Sequence, residues 1–580
     1  MRCLALVLSV AGCAAPHVSR VVPLGGQAGS VVEVELVGKE LAEFSGARFD
    51  TGDLEWVETL SHTAEVVRGK VRIGKGAALG PHRLQARTRA GLTNTRLFNV
   101  TQFPGVMEVE PNDRKAQEIP LRPQVIHGYM KGLADGDRYT FLAKAGERWV
   151  FDLQSMERGG FLECSLRLLD EAGREVAFND DQDEYLETPR LVTRFAREGR
   201  YVLQVDQYRG PQGVNCGQNC GYALQVSQLP VVSGIFPLGA RPGQAYGVRV
   251  HGEALGGVTG AYLQRARGAE HYRLTFPYSM PVDGTDVDLT RVQGRVVRAA
   301  ENFADAEFLL PSTARPGLWR LWLVTAEGTA EAMAVEVDGD AGVVDGMVGP
   351  ESKYAVELAV GRPFHAWTVA TQLGLPFIDT VLELWSADGK LLAEHDDLMT
   401  GQGTVIGNPD SSLYYLPKRT ETAKLVVRDR NDRSGPSYAF RLHMANEAPG
   451  FQLITEPEEF VVTAGGTAVL EALLIKQPGF EKAVDVWVEG MPATKGTFRA
   501  DQHFGPSGDG DNINIPSVEL TVRPAEDMAP GDYVIRVRAR ASDGTGPVVE
   551  GLATLWIGPN GKRNDTRRPL PGVAVHVVAR

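Results

Sequence analysis

Short runs in which apolar and polar residues alternate recur along the whole chain: Val31–Val37, Arg83–Arg87, Trp149–Leu153, Tyr201–Val205, Val248–Val250, Trp319–Val324, Lys424–Val427 and Tyr533–Arg540. Side chains of an extended chain project to opposite faces with a period of two, so each run offers one face to a core and the other to water. Gly, Pro, Asp and Asn fill the intervals, and no long stretch repeats its apolar residues at helical spacing. The pattern predicts an all-β protein of sandwich type. One turn recurs at the start of a late strand, as Gly199-Arg-Tyr201, Pro316-Gly-Leu-Trp319 and Pro530-Gly-Asp-Tyr533. In each, glycine permits the tight turn and the aromatic residue opens a strand.

A longer repeat organises the chain. Pro23-Leu24-Gly25, Gly29, Gly38 and Leu41 return as Pro237-Leu238-Gly239, Gly243, Gly252 and Leu255, all at one offset of 214. A constant offset implies duplication of a whole unit. Between the copies, Leu166–Asp181 and Leu382–Asp397 share a strand, a hairpin turn, a second strand and paired aspartates. The layout reads A–B–A–B with a fifth unit. The expected divisions are a signal at 1–15, sandwiches at 16–103, 104–229, 230–339, 340–446 and 447–558, and a flexible basic tail at 559–580.

At these residues the chain resembles known families. The A units resemble the Ig-like TIG/IPT domains of bacterial surface proteins through P-L-G-x-x-x-G, a strand, and G-x-x-L. The first B unit resembles the bacterial pre-peptidase C-terminal domain, a jelly-roll-like sandwich, through Glu110-Pro111-Asn112-Asp113, Asp135-Gly-Asp137-Arg-Tyr139, Asn179-Asp180-Asp181 and Gly199-Arg-Tyr201. The second B unit keeps His395-Asp396-Asp397 and Gly435-Pro-Ser-Tyr438 but lacks the first two motifs, so it reads as a degenerate copy. The resemblance covers about residues 17–445 and implies extracellular polysaccharide, matrix or protein partners.

Composition narrows the function. At 580 residues the chain exceeds any single core. A net charge of -13 argues against nucleic acid, which needs a basic surface, and suits divalent cations. Met1-Arg2, an apolar run to Ala11 and the small residues Gly12 to Ala15 form an export signal, too short to span a bilayer. Val10-Ala-Gly-Cys13 resembles a bacterial lipobox with Cys13 as the lipidation site; ordinary cleavage after Ala15 is the alternative. The expected location is the periplasm, outer membrane or cell surface, with no transmembrane span. In that oxidising setting Cys216 and Cys220 are expected to form a local disulfide, and Cys164 to be a buried thiol.

Catalytic signatures are missing: there is no G-x-S-x-G, H-E-x-x-H, phosphate loop or dinucleotide fingerprint, and the eleven histidines are scattered. The expectation is a non-enzymatic binding or scaffolding protein. An accessory protein that targets substrate for a secreted peptidase or glycan-degrading system is the alternative. One metal site is expected. Glu108, Glu110 and Asn112 share a face of an extended entry segment beside Asp113, and Asp135 and Asp137 share a face one strand later. Calcium takes six to eight oxygen ligands, which these side chains, backbone carbonyls and water can supply. Acidic entry segments also bind calcium in collagen-binding relatives of the family this unit resembles. A solvated acidic linker is the plain alternative.

Overall fold

Gly38 and Gly252 explain the spelling of the long repeat. A Cβ at Gly38 would lie 1.9 Å from the carbonyl oxygen of His17, and one at Gly252 would lie 2.1 Å from that of Val231. Two strands cross there too closely for any side chain, each beside a bulge in the first strand of its unit. Gly29 and Gly243 take left-handed φ values of 81° and 75° in the following turn, where glycine carries no steric cost. Leu41 and Leu255 are both fully buried.

The computed structural model describes residues 16–131, 135–155, 164–181, 189–207, 220–265, 290–339, 342–350, 352–370, 373, 378–396, 410–435, 437–477, 479–502, 505–506, 513–514, 516–556 and 567–578. These residues are all-β, with no α-helix and one 3-10 turn at Leu255–Gly257. No helix among them is long and apolar enough to cross a membrane.

The strands form five successive modules. In the first, one sheet runs His17–Val22, Val31–Lys39, Val66–Ile73, Leu54–His62, and the other runs Phe44–Phe49, Gly80–Thr88, Arg96–Thr101, Gly25–Gln27. The third module keeps this order but joins the two halves into one eight-stranded sheet, because Gly260–Arg265 pairs with Arg291–Ala300. At that junction the first module instead packs Phe44 against Trp56 edge-on, with centroids 5.2 Å apart.

The second module has two five-stranded sheets. One runs Gly105–Met107, Gln124–Met130, Cys220–Ser227, Arg148–Gln154, Arg190–Arg194; the other runs Gln117–Glu118, Gly136–Ala143, Gly199–Gln207, Cys164–Leu169, Glu175–Asn179. The fourth module repeats this order without the two short leading strands, as Val343–Met347, Ala439–Ala445, Phe364–Val369, Ser412–Tyr415 and Lys353–Leu358, Glu421–Asp429, Thr380–Trp385, Leu391–His395. Both leading strands pair parallel to their neighbours and carry the entry segment between the sheets.

The recurring turn has a common purpose. His82 Nε2 pairs with the carbonyl of Ala78 at 2.8 Å, and Tyr201 Oη donates to that of Arg197 at 2.9 Å. Trp319 Nε1 donates to Arg315 at 3.1 Å and Tyr533 Oη to Ala529 at 2.8 Å. In four modules an aromatic ring thus reaches back four residues to a carbonyl that the turn leaves without a ladder partner.

One expectation is corrected. Residues 567–578 are not a loose tail: Arg567–Pro571 and Val573–Val578 are strands of the fifth module, the latter between Glu459–Thr463 and Gly531–Ala541. Val573, Val575 and Val577 are buried, and the alternation Val573-Ala-Val-His-Val-Val states this strand as plainly as any other.

Candidate functional site

The entry segment of the second module is held as a strand edge. The Glu108 N–H donates to the His127 carbonyl at 3.0 Å, continuing the parallel pairing of Gly105–Met107. Extended backbone turns Val109 out to water and Glu108 and Glu110 inward, as period two requires. Glu108 Oε1 accepts the Tyr129 N–H at 2.7 Å. Glu110 Oε2 accepts the Asn112 N–H at 3.0 Å, and Glu110 Oε1 meets Lys131 Nζ at 2.7 Å.

The second pair of carboxylates arrives on the neighbouring sheet. Asp137 stands on the Gly136–Ala143 strand, fully buried, and its Oδ2 accepts a short hydrogen bond from Tyr222 Oη, which lies 2.5 Å from Tyr139 Oη. Asp135 Oδ2 accepts the Lys131 N–H at 2.6 Å. Carboxylate oxygens of Glu110, Asp135 and Asp137 all lie within 4.8 Å of one another. Glu108 joins them through its interaction with Asp137. Asp113 Oδ1 instead accepts the N–H of Arg114 at 2.9 Å, closing its own turn.

Buried polar atoms here lack partners. Neither side-chain amide atom of Asn112 makes a hydrogen bond, although Asn112 is fully buried. Leaving such groups unsatisfied costs about 1–3 kcal/mol each. The Glu108 and Asp137 carboxyl groups hydrogen-bond each other, which requires a proton on one of them. Burial, reinforced by the charge of Asp137, pushes Glu108 up to about 9. Burial likewise lifts Asp137 to about 6, against the hydrogen bonds it accepts. The donor set of Glu110, Asp135 and Asp137 is all oxygen, as a hard cation prefers.

A second charged group lies between the third and fourth modules. Arg441 is 4% exposed; it meets Glu336 at 2.7 Å, Asp345 at 2.9 Å, and Asp338 through a short bond. His443 Nε2 meets Glu336 at 2.7 Å. Oxygens of Glu336 and Asp338 and a nitrogen of His443 lie within 4.8 Å, a spacing that would suit a metal, but the Arg441 guanidinium already bridges both carboxylates. This is an inter-module bolt, and the two modules share one continuous core around it.

Nearby, His365 Nε2 lies 2.9 Å from Ser412 Oγ and Nδ1 lies 2.6 Å from Glu447 Oε1, the order of a hydroxyl–imidazole–carboxylate relay. Its surroundings are closed. Ser412 is 3% exposed on a regular strand, and the His365 ring is clamped between Tyr414 at 3.7 Å and Trp367 at 4.4 Å.

Sequence reasoning missed Lys131, Tyr129 and Tyr222 around the carboxylates, and all of the Arg441 group. Arg441 lies 103 residues from Asp338, and only folding joins them. Cys13 and Cys216 lie outside the described residues; Cys164 is buried. No protein-family model matches this chain, and no curated protein matches it significantly.

Proposed function

We propose that this chain is an exported, calcium-stabilised β-sandwich scaffold that binds extracellular polysaccharide or protein partners, with a cation site at the entry of the second module. The observation that supports the cation site is the buried Asp137, whose carboxylate oxygen lies within 4.8 Å of those of Glu110 and Asp135 and which hydrogen-bonds Glu108, a crowd of acids that repel one another once ionised. Glu110, Asp135 and Asp137 would hold the ion, with Glu108 and Asn112 completing the oxygen set. Lys131 Nζ, at Glu110, is the internal cation that calcium would displace. Calcium modules outside cells work at about 10⁻⁴–10⁻³ M, so such a site would order the module after export. A lipid on Cys13 would tether the scaffold.

Titration calorimetry of the full chain with calcium tests the reading. Saturable binding near one ion per chain, with a raised melting temperature, is expected. Glu110→Gln and Asp137→Asn should each lower both effects. Absence of binding heat, or an undiminished melting shift in both variants, would remove the site.

A further inference from the structure

One end of the second module docks on the third. Arg148 Nη2 lies 3.6 Å from Glu253 Oε2, and Arg194 Nη2 lies 3.6 Å from Glu301 Oε1, across the gap between the modules. Arg148 Nη1 also donates to the Leu229 carbonyl at 3.1 Å. Because the chain is a repeat, each half of this contact occurs a second time, and both second copies are open.

The fourth module carries one half. Its Gly361 N–H donates to the Pro417 carbonyl at 2.9 Å, as the Gly146 N–H donates to that of Phe195 at 2.7 Å. Phe364 pairs with Tyr415 as Trp149 pairs with Thr193. Pro363 thus stands in place of Arg148, and Leu416 in place of Arg194. Leu416 and the neighbouring Val360 are 58% and 62% exposed, so the fifth module leaves this end uncovered.

The first module carries the other half. The Gly38 N–H donates to the Glu65 carbonyl as that of Gly252 donates to Asn302, and Leu41 donates to Ala64 as Leu255 does to Glu301. Lys39 and Ala64 thus stand in place of Glu253 and Glu301, and both are exposed. The first module meets the fifth through other residues, Gln85 with Glu459 and Arg48 with Asp532.

The two open surfaces differ from their docked counterparts in step. The ion pair of Arg194 with Glu301 becomes Leu416 and Ala64, apolar on both sides. Where Glu253 becomes Lys39, Arg148 becomes Pro363, so two cations never meet. Exposed Arg362 and Lys418 border the end of the fourth module, and exposed Glu40 and Glu65 border the rim of the first; none of the four has an ion-pair partner among the described residues. We propose that the end of the fourth module docks on the rim of the first module of a second copy of this chain, as the second module docks on the third. The apolar centre leaves water, and opposite charges face each other around it. Because the two surfaces are different, the contact is head-to-tail and continues until a ring closes or a chain grows.

Sedimentation velocity of the full chain over a concentration series tests this assembly. Oligomers that grow with concentration are expected. Leu416→Asp spoils the fourth-module end and Ala64→Asp the first-module rim, so each variant alone should stay monomeric. Mixed in equal amounts, the two should form a dimer and nothing larger, because each keeps the surface that the other has lost; recovery of the dimer also shows that both are folded. A monomeric wild type at every concentration, association that survives in either variant alone, or a mixture that stays monomeric or passes beyond the dimer would overturn the proposal.

Discussion

The second and fourth modules share one scaffold and differ at its charged centre. Register makes the comparison residue by residue. Asp137 pairs with Val205, which also faces Leu166; in the fourth module Val427 faces Leu382 and bonds to Ser352. Ser352 thus stands where Asp137 stands. Tyr222 opposite Gly128 becomes Phe440 opposite Gly346, and Tyr139 becomes Tyr354. Ser352 Oγ bonds the carbonyls of Gly349 and Val427, and Phe440 meets Tyr354 edge-on at 6.4 Å. Among the described residues, the fourth module has no counterpart of the entry strands that bring Glu108 and Glu110. At the two positions compared, the polar groups of Asp137 and Tyr222 are replaced in the fourth module by a serine that bonds neighbouring carbonyls and by an apolar ring. The lesson is that the scaffold needs no charge at this position, so the carboxylates of the second module are not required by the fold.

The fourth module's own charge lies on the outer face of its sheet. Arg441 occupies the register position of Ala223 and bolts the module to the third. Arg441→Ala should give the largest effect of any substitution considered, about 3–5 kcal/mol, because it strands the buried carboxylates of Glu336 and Asp338 and the half-buried one of Asp345. Denaturant unfolding would show it; a loss under about 1 kcal/mol would mean that the shared core alone holds these modules. Next in size is the cation. At one hundred times its dissociation constant, calcium should stabilise the second module by about 2.7 kcal/mol, and Asp137→Ser, which installs the fourth module's residue, should abolish most of that. The reverse change, Ser352→Asp, should create no binding, since the entry carboxylates have no counterpart there.

A pH scan separates the modules further. Without calcium, Asp137 at about 6 and Glu108 at about 9 bind protons in the fold that the unfolded chain releases near its ordinary carboxylate values. Stability of the second module should then fall as pH rises from about 4.5 toward 9, and saturating calcium should flatten the slope. A flat apo profile by thermal melting would contradict the burial of these carboxylates. Smallest is Lys131→Ala. It removes an exposed ion pair worth about 0–1 kcal/mol and should tighten calcium binding modestly, by freeing Glu110.

Much of this contrast was written in the sequence. Glu108, Glu110, Asp135 and Asp137 announce themselves through period-two spacing, and the degeneracy of the second copy shows in its missing motifs. The repeat glycines were legible because close backbone approach admits no other residue. What could not be read is what folding assembles across distance: the complete burial of Asn112, the Tyr222 hydroxyl on Asp137, and the Arg441 bolt. The strand at Val573–Val578 was hidden for a different reason. A basic, proline-containing approach drew attention from the alternation that follows it.

Diffraction from crystals grown with calcium, at a wavelength where the ion scatters anomalously, tests the central claim most directly. The account predicts one strong peak in the second module, within about 2.3–2.6 Å of oxygens from Glu110, Asp135 and Asp137, and none beside Ser352. A second module whose carboxylates keep their present partners, with no peak among them at millimolar calcium, would contradict it.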